Sequence, residues 1–187
     1  MDWMDALSNA GVLADNAITL AYSYIGPELT YPIYYQGSIG KAKQHLYETA
    51  KEINSKFEAK HIKALVSINK ALVTQSSSAI PVVPLYITIL YKIMKEQGVH
   101  EDCIMQMRRL FTEKWNGSTF ETDASGFIRM DDYELNPAVQ EQVTKHWNAI
   151  STKTIEQYAD LEGYWEDFYH MFGFHIDGID YEQDVTP

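Results

Sequence analysis

Two short apolar segments separated by one long helix constrain the fold of this chain most. Residues 16–24 and 64–68 are rich in β-branched and aromatic side chains, which is typical of buried strands in a parallel sheet. Between them, a regular apolar stripe predicts a helix that has Ser38 as its N-cap and ends at about residue 60. Strand, helix and strand together predict a parallel βαβ unit with a right-handed crossover.

The rest of the chain is predicted to be mainly helical. Proline and glycine breakers favour a loop at 26–37, and a second loop is expected at 120–131. Helices are expected at 3–14, 80–94, about 100–115, 137–149 and 154–172, of which 80–94 is apolar on nearly every face. Two strands leave most edges of a parallel sheet unpaired, so we expect further strands from another segment or chain.

The charge of the chain is unevenly distributed. Residues 1–98 carry nine Lys against eight Asp or Glu, whereas residues 99–187 carry six Lys or Arg against eighteen acids. This surplus of acid disfavours contact with phosphate backbones, so no nucleic-acid partner is expected. A phosphorylated ligand would find its basic side chains within residues 41–70.

The sequence also indicates the cellular compartment of the protein. No run of 18 uncharged apolar residues occurs, and the first eleven residues carry two aspartates in place of a basic leader. The single cysteine cannot form a disulfide within the chain. We therefore expect a cytoplasmic protein without a membrane span.

Common catalytic and binding motifs are absent from the sequence. It contains neither G-x-G-x-x-G nor G-x-x-x-x-G-K-[ST], so no backbone cradle for a pyrophosphate is recognisable. H-E-x-x-H and G-x-S-x-G are also absent, which leaves no argument for a zinc protease or a serine hydrolase. No metal site is predicted.

A tyrosine with a lysine nine positions later is a pair that reductases can use. The phenol can donate a proton or hydrogen bond to an oxygen that gains charge, and the ammonium can lower the pKa of the phenol. The spacing occurs three times, in Tyr34/Lys43, Tyr47/Lys56 and Tyr86/Lys95. The last two pairs lie inside predicted helices, where this spacing places the side chains on opposite faces. Tyr34 lies in a loop before the helix that carries Lys43, so only this pair can converge.

The residues alone also allow a simpler interpretation. Tyr31, Tyr34 and Tyr35 could be loop aromatics that cover the sheet, with Lys41 and Lys43 as solvated helix residues.

Four segments of the sequence favour the catalytic interpretation. Residues 21–43 (AYSYIGPELTYPIYYQGSIGKAK) closely resemble the signature of the trans-2-enoyl-CoA reductases and the related V-type enoyl-acyl-carrier-protein reductases. The segments NKALVT at 69–74, IPVVPLY at 80–86 and FGFHIDGIDY at 172–181 are similar to the same family. The resemblance implies an α/β fold, the helix-rich C-terminal part of a Rossmann-like short-chain dehydrogenase/reductase with few strands of its own. It implies a catalytic part at 1–120 and a helical, acidic extension at 121–187.

The resemblance also implies roles for individual residues. Tyr34 would be the catalytic acid, Lys43 would bind the ribose of the cofactor and tune Tyr34, and Tyr24 would contact the acyl thioester. The nicotinamide end of NADH would meet the backbone and hydroxyl groups of Leu72, Val73 and Thr74. The apolar helix at 80–94 would cover the acyl chain.

The implied reaction is hydride transfer from NADH to the β-carbon of a trans-2-enoyl-CoA or enoyl-ACP, as in fatty acid synthesis. Tyr34 would stabilise the resulting enolate, and protonation at the α-carbon would complete the reduction. Flavin binding has been assigned to the C-terminal part of such enzymes, but residues 120–187 show no pattern that supports it.

In this family a glycine-rich NADH-binding half precedes the catalytic half. We expect that half to be a separate chain or a missing segment, and the isolated chain to turn over little or nothing. The alternative is a non-catalytic helical protein derived from this family, which acts by associating with a basic partner through its acidic C-terminal surface.

Overall fold

The structure follows the predicted order of strand, helix and strand, followed by a run of helices. It is a computed structural model and describes residues 1–184. Its elements are α1 (Asp2–Asn9), β1 (Ile18–Ser23), α2 (Ser38–Lys56), β2 (Lys63–Ile68), α3 (Gln75–Ser78), α4 (Val83–Glu96), α5 (Cys103–Thr112), β3 (Phe127–Arg129), α6 (Pro137–Ala149), α7 (Ile155–Tyr158) and α8 (Leu161–His170), with short 3-10 helices at Glu28–Thr30 and Glu58–Lys60. None of the helices in this range is long and apolar enough to cross a bilayer.

The chain forms two compact units. The first contains Met1–Ala71 and Cys103–Gln140, and the second contains Leu72–Asp102 and, within the described range, residues 141–184. The proposed boundary between a catalytic part at 1–120 and an extension at 121–187 stays a prediction.

The first unit is built on a parallel sheet with the strand order β1-β2-β3. Ile18 lies opposite Lys63 and Ser23 opposite Ile68, so the predicted parallel pairing of β1 and β2 is confirmed. The expectation of a loop throughout 120–131 was wrong, because β3 adds a third parallel strand beside β2. Three residues are too few to show an alternating pattern in the sequence.

Apolar clusters cover both faces of this sheet. One contains Ala64 together with residues of α1 and α2, and the other contains Leu65 together with residues of α5 and β3. Consecutive strand residues point to opposite faces, so the clusters lie on opposite sides of β2. The sheet is therefore sandwiched between helices, as the α/β class requires.

The second unit is organised around α4. The side chains from Tyr86 to Tyr91 are all buried, which confirms the predicted burial for the middle of this segment, whereas Pro81 and Val82 at its start are exposed. The helix begins at Val83, later than predicted, because Val82 has a left-handed backbone (φ +71°) and Pro84 follows it in the first turn. α8 packs against α4.

The predicted helix at 154–172 is divided into α7 and α8 at Asp160. The Asp160 N–H donates to the carbonyl of Thr88 (2.9 Å), and its carboxylate accepts the N–H of Gly163 (2.9 Å). The Asp160 carboxylate also pairs with the ammonium of Lys95 at 2.6 Å. These contacts cap α8 and hold its first turn on α4.

The start of α2 depends on the close approach of Gly40 to the preceding loop. Gly37, not Ser38, occupies the N-cap position, and the cap makes no side-chain hydrogen bond, so that part of the prediction was wrong. Instead, the Gly40 N–H donates to the carbonyl of Tyr34 (3.0 Å), and a Cβ on Gly40 would overlap the carbonyl of Tyr35. The helix is thus in direct contact with the backbone of the preceding loop.

We expect Gly40→Ala to destabilise the chain, although alanine is favoured over glycine inside helices by about 1 kcal/mol. The added methyl group would displace the loop that carries Tyr34 and Tyr35. Urea unfolding measures the effect. Ala42→Gly, at an exposed position of the same helix, reports propensity alone and should cost about 1 kcal/mol. Stabilisation by Gly40→Ala would contradict the close approach.

We expect Asp160→Asn to lower stability in a pH-dependent way. Burial opposes ionisation of Asp160, but hydrogen bonds from Lys95 and Gly163 outweigh it and hold the pKa of this carboxyl below its ordinary value. The contribution is complete at neutral pH and is lost as the pH falls through the lowered pKa. Urea unfolding should show a deficit of up to about 1 kcal/mol at pH 7, since the pair is partly exposed.

The difference in the free energy of unfolding between the parent chain and Asp160→Asn should narrow as the pH falls from about 5 to about 2.5. Glu162→Gln, an exposed acid on the first turn of α8, is the control and should leave the stability profile unchanged. A deficit that is constant with pH would contradict the ion pair.

Candidate active site

Tyr34 lies in the loop after β1, against another tyrosine. Its side chain is 7% exposed, and the ring of Tyr24 meets it edge-on with 5.0 Å between ring centroids. The Tyr24 hydroxyl donates to the Glu134 carboxylate at 2.9 Å. The two tyrosines singled out from the sequence are therefore neighbours in the structure.

Glu134 is a fully buried acid that sequence reasoning missed. Its second carboxylate oxygen accepts the N–H of Ala71 at 2.7 Å. One carboxylate therefore fixes both the Tyr24 hydroxyl and the backbone that follows β2. No pattern in the sequence marks Glu134, since a single acid between a predicted loop and a predicted helix is usually solvated.

The hydroxyl groups of the two tyrosines differ in what they can do. The Tyr24 hydroxyl donates a hydrogen bond to Glu134, whereas the Tyr34 hydroxyl has no hydrogen-bond partner within residues 1–184. Burial, and secondarily the neighbouring Tyr47, raise the pKa of Tyr34, so its phenol stays protonated at neutral pH. Tyr34 is the tyrosine of this pair whose proton remains available to a ligand.

Lys43 lies on the side of α2 that faces this loop. It follows Gly40 by three residues, and residues three apart share a helix face. Gly40 is in contact with the backbone of Tyr34, so that face is the one next to the tyrosine. Burial lowers the pKa of Lys43.

The expected tuning of Tyr34 by Lys43 stays a prediction. In the described residues no hydrogen bond joins the two side chains, and the pKa of Tyr34 is raised, not lowered. Burial is the largest influence on the pKa of Tyr34, and Lys43 is not among the groups that shift it.

Tyr47 is a further neighbour that the sequence analysis set aside. Its hydroxyl lies 3.0 Å from the Ser23 Oγ at the end of β1, and its proximity contributes to the raised pKa of Tyr34. Lys56 pairs with Asp5 instead, in agreement with the argument against Tyr47/Lys56 as a pair. The spacing of four between Lys43 and Tyr47 places both on one face and could have identified Tyr47.

The predicted nicotinamide segment is a buried stretch of the second unit. Leu72 and Val73 are buried, and the Val73 N–H donates to the Tyr91 hydroxyl at 3.3 Å. Thr74 caps α3 in a reciprocal arrangement with Ser77, whose hydroxyl also donates to the Leu72 carbonyl at 2.8 Å. Within residues 1–184, the Leu72 N–H and the Val73 carbonyl have no hydrogen-bond partner.

Two family models match the chain. Residues 1–115 match the model described as the trans-2-enoyl-CoA reductase catalytic region, and residues 122–185 match one described as the enoyl reductase FAD binding domain. The first match covers more than half of the chain.

Curated relatives and a solved structure carry related names. An enoyl-[acyl-carrier-protein] reductase [NADH] of Flavobacterium psychrophilum is 52% identical over 98% of this chain and 47% of its own length. A trans-2-enoyl-CoA reductase [NADH] of Ruminiclostridium cellulolyticum is 49% identical over 98% of the chain and 46% of its own length. The crystal structure of Clostridium acetobutulicum trans-2-enoyl-CoA reductase in complex with NADH matches with a TM-score of 0.92 and 44% identity, over 99% of this chain and 47% of that one.

Residues 122–184 do not fit a flavin dinucleotide, despite the name of the second model. A pyrophosphate binds at N–H groups of helix N-termini or at basic side chains. At α8 the Asp160 carboxylate already accepts the N–H of Gly163, and Arg129 is held by Asp123 and Asp131. The region carries fourteen acidic against three basic side chains, which opposes an anionic ligand.

The chain spans about half the length of the curated relatives that it matches. Within that span, both the catalytic-region match and the fold agree with the resemblance seen in the sequence. This chain belongs to the trans-2-enoyl-CoA reductase family.

Proposed function

We propose that this chain carries the catalytic half of an NADH-dependent trans-2-enoyl-thioester reductase that acts on enoyl-CoA or enoyl-ACP in fatty acid synthesis. The observation that carries the proposal is the unequal use of two adjacent hydroxyl groups. The Tyr24 hydroxyl donates its hydrogen bond to Glu134, and the Tyr34 hydroxyl can donate its hydrogen bond to a ligand. The names of the relatives, which specify NADH and enoyl substrates, support the same reaction.

The segment from Leu72 to Thr74 fits the nicotinamide end of NADH. The Leu72 N–H and the Val73 carbonyl offer one donor and one acceptor, which match the oxygen and the amino group of a carboxamide. Both residues are buried, which strengthens such hydrogen bonds by excluding water. NADH, when bound, supplies the hydride that adds to the β-carbon of the substrate.

Tyr34 would donate its hydrogen bond to the thioester oxygen as that oxygen gains charge. A buried phenol with a raised pKa holds its proton through neutral pH, and a donor in a water-excluded site stabilises developing charge more strongly than one in water. The Tyr24 hydroxyl donates its hydrogen bond to Glu134, so Tyr24 would contact the thioester through its ring. Lys43 would bind the ribose hydroxyls from the same face of α2.

α4 would cover the acyl chain, as the resemblance implies. Its apolar side chains are buried on every face, which suits contact with hydrocarbon but also describes an ordinary core helix. The role of α4 rests on the resemblance more than on its packing.

The first unit exposes surface that another segment would have to cover. β1 lies at the edge of the sheet, and Tyr22 on that strand is half exposed. Trp3 on α1 and Ile104 on α5 are 82% and 76% exposed. Edges of parallel sheets are normally covered, so we propose that a glycine-rich, NADH-binding half, on this chain or another, adds strands at β1.

The alternative, a non-catalytic interaction protein derived from this family, is favoured by one feature of the second unit. Large apolar side chains on α8 and after it are about half exposed, among them Trp165, Phe172, Phe174 and Ile179. Exposed patches of this kind mark association surfaces. The same patch is compatible with a reductase, so activity decides between the two functions.

The test is a hybrid enzyme in which this chain follows the part of the Flavobacterium psychrophilum relative that it does not match. We expect the hybrid to oxidise NADH at 340 nm in the presence of crotonyl-CoA. Tyr34→Phe should lower kcat by about 100-fold or more, because a positioned proton donor contributes about that much to catalysis.

Tyr31→Phe is the matched control, since Tyr31 lies in the same loop and stacks on Tyr35. It should leave kcat within about twofold of the parent hybrid, well below the loss expected at Tyr34. A folded hybrid that binds NADH but reduces no enoyl thioester would overturn the proposed reaction and favour the interaction protein.

A further inference from the structure

A buried hydrogen-bond relay in the second unit connects α8 to the predicted nicotinamide segment. The Val73 N–H donates to the Tyr91 hydroxyl at 3.3 Å, and this hydroxyl donates to the Asp167 carboxylate at 2.7 Å. Tyr91 is fully buried in the middle of α4. The relay thus extends from the backbone of a predicted cofactor segment to a charged residue near the end of the chain.

The direction of the relay is fixed by chemistry. Burial and the adjacent Asp167 both raise the pKa of Tyr91, so the phenol keeps its proton. That proton points to the carboxylate, which leaves the oxygen lone pairs to accept the N–H of Val73. Donation to an anion also polarises the hydroxyl and makes it a better acceptor.

A second contact sets the register of α8 on α4. Tyr91 and Lys95 are four residues apart on one face of α4, and their partners Asp167 and Asp160 are seven residues apart on one face of α8. The order is reversed on the second helix, as it must be for an antiparallel pair. Asp160 holds the start of α8 on α4, and Asp167, two turns later, lies against Tyr91.

We propose that Asp167, acting through Tyr91, positions the segment from Leu72 to Thr74 for the nicotinamide end of NADH. This inference rests on the proposed function. With its N–H held by Tyr91, Val73 keeps its carbonyl for the cofactor, as Leu72 keeps its N–H. The region whose model is described as FAD binding would thus serve NADH, through a positioning residue that does not touch it.

The hybrid enzyme described above provides the test. Tyr91→Phe and Asp167→Ala should each raise the Kd for NADH, measured by the fluorescence of the bound dinucleotide, by about tenfold, which corresponds to about 1.4 kcal/mol. The KM for crotonyl-CoA should change by less than about twofold, because Tyr91→Phe keeps the ring within α4 and Asp167 lies on α8. A mere loss of folded enzyme would change neither constant. Asp167→Asn retains an oxygen that accepts from Tyr91 and should recover most of the affinity.

Two further measurements separate positioning from stability alone. Asp160→Asn weakens the ion pair with Lys95 but keeps the relay residues and the hydrogen bond from the N–H of residue 160 to Thr88, which also places α8, so it should lower Tm with less than about a twofold change in the Kd for NADH. Amide hydrogen exchange should be faster at Val73 in Tyr91→Phe than in Asp160→Asn, and this readout requires no cofactor.

The outcomes also separate this inference from the proposed function. If Tyr91→Phe and Asp167→Ala lower Tm but leave the Kd for NADH at the parent value, the relay is structural only and the inference is wrong. If the parent hybrid binds NADH but reduces no enoyl thioester, the proposed reaction fails while the Kd values still decide the inference. A folded hybrid that binds no NADH overturns both.

Discussion

The candidate active site of the first unit depends on a single buried carboxylate. Glu134 accepts hydrogen bonds from the Tyr24 hydroxyl and from the Ala71 N–H, which lie 47 positions apart in the sequence. Removing such an acid would leave a buried hydroxyl and a buried N–H without their acceptor, at a cost of about 1–3 kcal/mol for each group. Tyr24 is thereby held against Tyr34, so the surroundings of the proposed catalytic phenol depend on an acid that need not meet the substrate.

Patterns within short segments of the sequence were sufficient to predict the main helices and strands. The βαβ unit, the bounds of α6 at 137–149 and the burial of α4 all follow from periodicity and from breakers that act within a few residues. The pair Tyr34 and Lys43 could be selected from three equivalent spacings because one member lies outside a helix. The resemblance then supplied the chemistry that spacing alone could not.

What the sequence did not predict depends on contacts between distant segments. β3 is three residues long and becomes a strand because β2 offers it an edge. No proline or glycine lies between α7 and α8, so the sequence does not predict a break there. The break arises because Asp160 binds Thr88 and Lys95 on α4. Glu134 and Asp167 were missed for the same reason, since an acid is recognised as a positioning residue only after its partner is known.

The distance along the chain between α4 and its covering helix has a consequence for biosynthesis. Lys95 and Asp160 are separated by 65 positions, so the last contacts of α4 form only after α8 has been synthesised. Until then, the apolar surface of α4 that α8 covers in the folded protein is exposed in the nascent chain. Exposed apolar surface of this kind promotes misassociation during folding. In the nascent chain this risk lasts from the synthesis of α4 to the synthesis of α8.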